Sequence, residues 1–306
     1  MFANKPQSIK VVEVGPRDGL QNEKTAVPTD VKREFIQKLA DAGLSTIEVT
    51  SFVRADKIPQ MNDASALFPL VKNDHAGKKI DLPCLVPNMK GYELAKSLDV
   101  DTIALFSATS NTFNLKNINV TIDESFEKME PIAKLAKSEG KKIRAYISMG
   151  FGCPYEGEIK PSQTLKIIER FSKLNVDEIS IGDTIGVANP KDVQELCQLM
   201  KGHFDLKKMA MHFHDTRGTA LTNVLVSLEN DIIIFDSSAG GLGGCPYAKG
   251  ATGNLATEDL VYLLHRMGLS TGIDMKKLSE ASVYILGHLN KETASKYLRA
   301  FLNTGY

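Results

Sequence analysis

The chain lacks most features that would commit it to a special environment or cofactor fold. Only four of its 306 residues are cysteine, and none stands in a C-x-x-C or comparable metal-ligand spacing. Disulfide scaffolds and thiolate metal sites are therefore not expected, and reduced thiols in a cytoplasmic setting are. An excess of charge is absent too: 37 Lys and Arg balance 37 Asp and Glu, without basic clusters. Nucleic acid and membrane surfaces are not expected partners. No apolar run approaches the roughly 20 residues that a membrane-spanning helix needs. The opening Met1-Phe2-Ala3-Asn4-Lys5-Pro6 does not read as a signal peptide. No G-x-G-x-x-G follows the first predicted strand, and no glycine-rich stretch ends in Gly-Lys-Ser or Gly-Lys-Thr. Those absences argue against a dinucleotide-binding sheet and a P-loop.

What is present is an ordinary globular mix, 42% apolar and 24% charged. Short apolar runs predict strands over 9–14, 45–50, 79–86, 102–107, 142–149, 178–182, 208–214 and 232–237. Longer amphipathic stretches between them predict helices, the first over 29–42 with Thr29 as cap and Gly43 as stop. A polar loop is expected over 110–121, and two further helices over 275–286 and 291–301. Eight strand–helix units predict an α/β (β/α)8 TIM barrel rather than an open doubly wound sheet. No linker divides the chain, so 1–306 reads as one catalytic domain, with the barrel over about 9–269 and a C-terminal helical extension over about 270–306.

In such a barrel the residues that end each strand converge on one face. His212 and His214, at i and i+2 on the seventh strand, share a side and form half of a metal site, unless they fill the barrel or pair with Asp215. After the first strand, Arg17 and Asp18 make either a surface turn with a weak ion pair or a mouth pair. In the second case Asp18 offers a hard oxygen ligand and Arg17 a fixed charge for a developing oxyanion. By alternation Glu48 shares a face with Thr50, and Arg17 is its natural ion-pair partner. Tyr146 reads as core with a hydrogen-bonded hydroxyl. Asp183 either caps the turn that follows or orients a histidine. Cys84 and Cys197 read as small buried hydrophobes, whereas Cys153 and Cys245 sit in Gly/Pro loops where reactivity is more plausible. Asn254 follows the Cys245 loop and adds another oxygen. Two nitrogens and two oxygens with open positions favour an octahedral divalent ion such as Mg2+ or Mn2+ over closed tetrahedral Zn2+.

Five stretches carry a resemblance: Gly-Pro-Arg-Asp-Gly-Leu-Gln-Asn-Glu (15–23), Ile-Glu-Val-Thr-Ser-Phe (47–52), Gly-Asp-Thr-Ile-Gly (182–186), His-Phe-His-Asp-Thr (212–216) and Gly-Leu-Gly-Gly-Cys-Pro-Tyr-Ala (241–248). Over roughly 9–269 the chain resembles the 3-hydroxy-3-methylglutaryl-CoA lyase family. The first and fourth stretches also mark the wider metal-dependent barrel superfamily that includes isopropylmalate and homocitrate synthases. The resemblance implies divalent-metal-dependent retro-Claisen cleavage of 3-hydroxy-3-methylglutaryl-CoA to acetyl-CoA and acetoacetate, in leucine degradation and ketone-body formation. It implies Asp18, His212, His214 and Asn254 as metal ligands and Arg17 and Cys245 as catalytic groups, with His212 a candidate base. Glu48 and Asp183 match further functional positions, and Gln21 and Ser51 are expected beside Arg17 at the substrate. An acyl-CoA substrate and a homodimer are the partners it implies. Asn111 stands where the family is expected to carry Glu. A Claisen-type synthase or aldolase on the same barrel, and a non-catalytic acyl-CoA-binding barrel, are the competing readings. The Cys245 loop argues against the first, and the intact polar set against the second.

Overall fold

Among the described residues the chain forms ten strands: β1 (Lys10–Glu13), β2 (Thr50–Ser51), β3 (Cys84–Leu85), β4 (Thr102–Ala108), β5 (Lys142–Ser148), β6 (Gly152–Cys153), β7 (Gly157–Glu158), β8 (Glu178–Asp183), β9 (Met209–Phe213) and β10 (Ile234–Ser237). This computed structural model describes residues 8–54, 56–244 and 253–304. Strands β6 and β7 form a small antiparallel hairpin, and the other eight form one parallel sheet in the order β1-β10-β9-β8-β5-β4-β3-β2. The two ends of that order meet. Glu13 N–H donates to Thr46 O at 3.0 Å, and Glu48 N–H donates to Glu13 O at 2.9 Å. The sheet is therefore closed into the expected barrel.

Alternation along the strands sorts the apolar side chains into two sets. Ile103, Ile143, Ile179, Met211 and Phe235 join the main core beneath the surrounding helices. Val12, Val14, Ala210 and Ile234 form one interior cluster, and Leu85, Ala104 and Tyr146 another. Each large aliphatic side chain taken out of water contributes about 1.5–3 kcal/mol. Polar residues take the remaining interior positions on the same strands, and they build the site described below.

Several local expectations are corrected. The stretch expected as a loop contains a helix, Asn111–Ile118, because the Ser110 side chain accepts the Phe113 N–H and caps it. Asn111 Oδ1 in turn accepts the Ile122 N–H, joining that helix to the next. Thr29 does not cap the first helix, Thr29–Asp41; its hydroxyl donates to Asp63 Oδ2 instead. Gly43 does end it, at φ +99, where an added Cβ would lie 2.2 Å from Gly272 O. The last helix starts at Lys296 rather than 291, because Asp259 accepts the Lys296 and Tyr297 N–H groups and fixes the turn there. Thr50 leaves the Glu48 face: its hydroxyl contacts Met61 sulfur at 3.6 Å, on the helix side. Cys153 is buried with its thiol against Ser110 Oγ at 3.1 Å, so the expected reactivity of an exposed loop cysteine does not apply. Among the described residues no helix is long and apolar enough to cross a membrane.

Candidate active site

The first site segment is set by a backbone turn. After β1, residues Gly15–Gly19 form one turn of π-helix in which the N–H groups of Arg17, Asp18 and Gly19 all reach Val14 O. The glycines permit it: a Cβ on Gly15 would lie 2.5 Å from Glu13 Oε1. The tight turn brings Arg17 and Asp18 over the barrel. Arg17 Nη2 pairs with Glu48 Oε2 at 2.7 Å, and its guanidinium lies 5.3 Å from the centre of the Tyr146 ring. Arg17 Nη1 and Gln21 Nε2 donate to Asp18 Oδ1 at 3.1 and 2.8 Å. Arg17 Nε is buried and has no hydrogen-bond partner among the described residues.

The second segment comes from β9. The rings of His212 and His214 lie 5.4 Å apart, as the i, i+2 spacing predicts. Asn254 reaches the same place by a backbone bridge to His214 at the far end of the glycine-rich loop. Its Nδ2 donates to Asp18 Oδ2 at 2.8 Å and to Leu242 O at 3.0 Å. Asp18, His212 and His214 offer ligand atoms that all lie within 4.8 Å of one another.

These groups reshape one another's charge. Burial opposes the Asp18 carboxylate, but Arg17, His212 and His214 outweigh it and hold its pKa below the ordinary range. Burial, aided by His212, pushes His214 down to about 4, so it is a neutral imidazole near pH 7. Burial also opposes a charged His212, but Asp236 overcomes it and raises its pKa. Burial pushes the Glu48 carboxyl up against the pull of Arg17.

The donor set fits a hard or borderline divalent cation. It combines a carboxylate, a neutral imidazole, a second imidazole and an amide oxygen, without sulfur. Two of its atoms, Asn254 Oδ1 and His214 Nδ1, are buried without a hydrogen-bond partner among the described residues. Buried polar atoms are rarely left so, and ion ligation is one way to satisfy them.

The other anticipated residues divide. Gln21 joins Asp18, while Ser51 is buried at the end of β2 with its hydroxyl unpartnered among the described residues. Asp183 takes the capping role: its two oxygens accept the Val187 and Ala188 N–H groups at 2.9 and 3.0 Å. Burial raises its pKa to about 6. Cys245 lies outside the described residues. The sequence reading missed Arg144, Asp236 and Glu13, all buried in or beside the barrel. For Arg144 the signal was there: it precedes Tyr146, read as core, by two and so shares its strand face, whereas Asp236 shares a face with Ile234, which only the structure places inside the barrel.

Barrel and mouth together define a class, a (β/α)8 enzyme fold with a cluster of nitrogen and oxygen atoms able to hold a metal ion at the ends of its strands. The HMGL-like family pattern matches residues 8–285. The human mitochondrial hydroxymethylglutaryl-CoA lyase is 45% identical over 295 residues, 96% of this chain and 90% of that protein. Curated relatives at similar identity include proteins named mitochondrial and proteins named cytoplasmic. The crystal structure of the Pseudomonas aeruginosa lyase superposes with a TM-score of 0.92 at 40% identity, covering 98% of this chain and 99% of that one. An Acinetobacter baumannii HMG-CoA lyase, in complex with coenzyme A and 3-methylmalate, gives 0.90 at 36% identity and covers 98% and 97%. This chain belongs to the HMGL-like family and, within it, to the hydroxymethylglutaryl-CoA lyases.

Proposed function

We propose that the chain cleaves 3-hydroxy-3-methylglutaryl-CoA to acetyl-CoA and acetoacetate. The observation that carries the reading is the convergence of Asp18, His212, His214 and Arg17 at the mouth of a lyase-family barrel. Asp18, His212, His214 and Asn254 are the residues assigned to a divalent cation, Mg2+ or Mn2+. Such an ion, when bound, supplies Lewis-acid polarisation of substrate oxygens.

The remaining roles fall to the chain itself. The C3 hydroxyl must lose its proton, the C2–C3 bond must break, and C2 must gain a proton. His212 is the candidate base for the first proton; because a ligating nitrogen cannot accept it, His212 Nε2 takes this role only with the cation held by Asp18, His214 and Asn254. Negative charge then collects on the thioester oxygen of the acetyl-CoA enolate. Arg17 answers it: its Nε–H is uncommitted, while Glu48 and Tyr146 hold the guanidinium in place without reorganisation. Gln21 and Ser51 are assigned to orienting the substrate, and Asp183 to holding the turn after β8. Cys245 is assigned to proton delivery at C2.

We read 1–306 as one catalytic domain. The segment before the last helix supports this by binding back to the mouth: Lys291 Nζ pairs with Glu23 at 2.5 Å, and Ala294 N–H donates to Gly240 O at 3.1 Å. The free buried thiols Cys84, Cys153 and Cys197 agree with a reducing, cytoplasmic setting. A homodimer is the assembly we carry over from the family, open to sedimentation analysis. The test of the reaction is product analysis after incubation with 3-hydroxy-3-methylglutaryl-CoA. Equimolar acetoacetate and acetyl-CoA support the lyase. Condensation of acetyl-CoA with a 2-oxo acid, without cleavage, would replace it with the synthase reading.

A further inference from the structure

A charged chain runs through the barrel interior beneath the metal-binding group. Strands β9 and β10 pair in parallel with Asp236 beside His212 in register. Asp236 is fully buried, and its Oδ2 lies 3.2 Å from His212 Nδ1. The same oxygen accepts Ser180 Oγ–H at 2.7 Å and Arg144 Nη1–H at 3.1 Å, while Oδ1 accepts Arg144 Nη2–H at 2.5 Å. Arg144 is fixed in turn by donating to Tyr146 Oη and Glu178 Oε1, each at 2.6 Å. Lys10 Nζ then reaches Glu178 Oε2 at 2.8 Å.

A carboxylate gripped by a guanidinium is an acceptor only, so the proton between it and His212 must sit on Nδ1. In a neutral ring that leaves the lone pair on Nε2, the nitrogen on the Asp18 side at 4.0 Å. We infer that Asp236 is a positioning residue that fixes His212 as its Nδ1–H tautomer and aims Nε2 into the metal-binding group, with Arg144 locking that carboxylate. The aim toward an ion rests on the metal reading above; the tautomer does not.

The test uses the full chain. In metal-free wild-type protein with 15N-labelled histidine, at a pH high enough that the His212 ring is neutral, long-range proton–nitrogen spectra are expected to show a protonated Nδ1 and a bare Nε2 for His212. The six histidines keep this tractable, and the His212→Gln spectrum identifies the signal. Mn2+ titration followed by electron paramagnetic resonance is expected to show affinity about 10- to 100-fold weaker in Asp236→Asn. Ser180→Ala, which removes only a neutral partner of Asp236, is expected to stay within about threefold of wild type. An Nε2–H tautomer in the wild type overturns the inference, as does a folded Asp236→Asn protein that binds Mn2+ like wild type. If Asp236→Asn does not fold, the wild-type spectrum decides alone. A wild-type protein that binds no Mn2+ overturns the metal reading, while the tautomer still judges Asp236.

Discussion

Two polar layers of one barrel interior are satisfied to different degrees. In the lower layer, hydrogen bonds link Lys10, Glu178, Arg144, Ser180 and Asp236, and the set reaches upward through Tyr146 and His212. In the mouth layer, Arg17 Nε, Asn254 Oδ1 and His214 Nδ1 are buried and unpartnered among the described residues. Apart from Lys10, whose side chain is 36% exposed, both layers are charged and largely hidden from water, so burial alone does not separate them. Satisfaction does. A satisfied buried network resists loss of a charged member, because the deletion strands a charge. A layer with unmet polar atoms carries a standing desolvation cost, which a bound ligand relieves.

The largest effect is expected from breaking the lower layer. Arg144→Met strands Asp236 and leaves Glu178 with Lys10 alone, and should lower unfolding stability by about 3–5 kcal/mol in urea titrations. A loss under about 1 kcal/mol would erase the contrast between the layers.

Next comes Glu258, behind the mouth, which accepts the Gly240 N–H with both oxygens. Burial raises its pKa from 4.5 to about 7, so the folded state keeps a proton that the unfolded chain releases. Its contribution is complete below pH 4.5 and shrinks as pH climbs toward 7, by roughly 3 kcal/mol in total. Glu258→Gln should flatten that slope, measured as stability against pH; an unchanged slope would assign the titration elsewhere.

His214→Ala, in the mouth layer, should weaken both metal affinity and turnover by roughly 100-fold or more. The stability of the metal-free protein should fall only by what the cavity left by the buried ring costs, since its Nδ1 has no hydrogen-bond partner among the described residues. Full activity in metal-free buffer would remove His214 from the ligand set. Cys245→Ala should bind metal normally yet turn over roughly 100-fold more slowly, if the thiol moves a proton. Near-normal turnover would leave proton delivery to another group.

Much of the barrel was legible because its signal is local. Eight apolar runs with helical stretches between them predicted the closed sheet, and the i, i+2 spacing of His212 and His214 predicted their shared side. The π-helical turn at 15–19 was legible only as a turn, since its Val14 O bonds have no sequence signature. The Asp236–His212 pair depends on register between β9 and β10, which no single-strand pattern specifies. The helix at 111–118 was missed because a polar stretch outweighed its Ser110 cap. Asp183 left two roles open in the sequence; its oxygens accept two backbone N–H bonds, a contact between residues 183 and 187–188 that the turn signal alone foreshadowed.

The central claim is that the unsatisfied mouth layer holds a divalent ion on which the lyase reaction depends. The most direct measurement is acetoacetate release from 3-hydroxy-3-methylglutaryl-CoA, followed with Mg2+, then with excess chelator, then with Mg2+ restored. Release that stops with chelator and returns with metal is the predicted result. Release that continues unchanged in chelator, or folded protein that never releases acetoacetate, would contradict it.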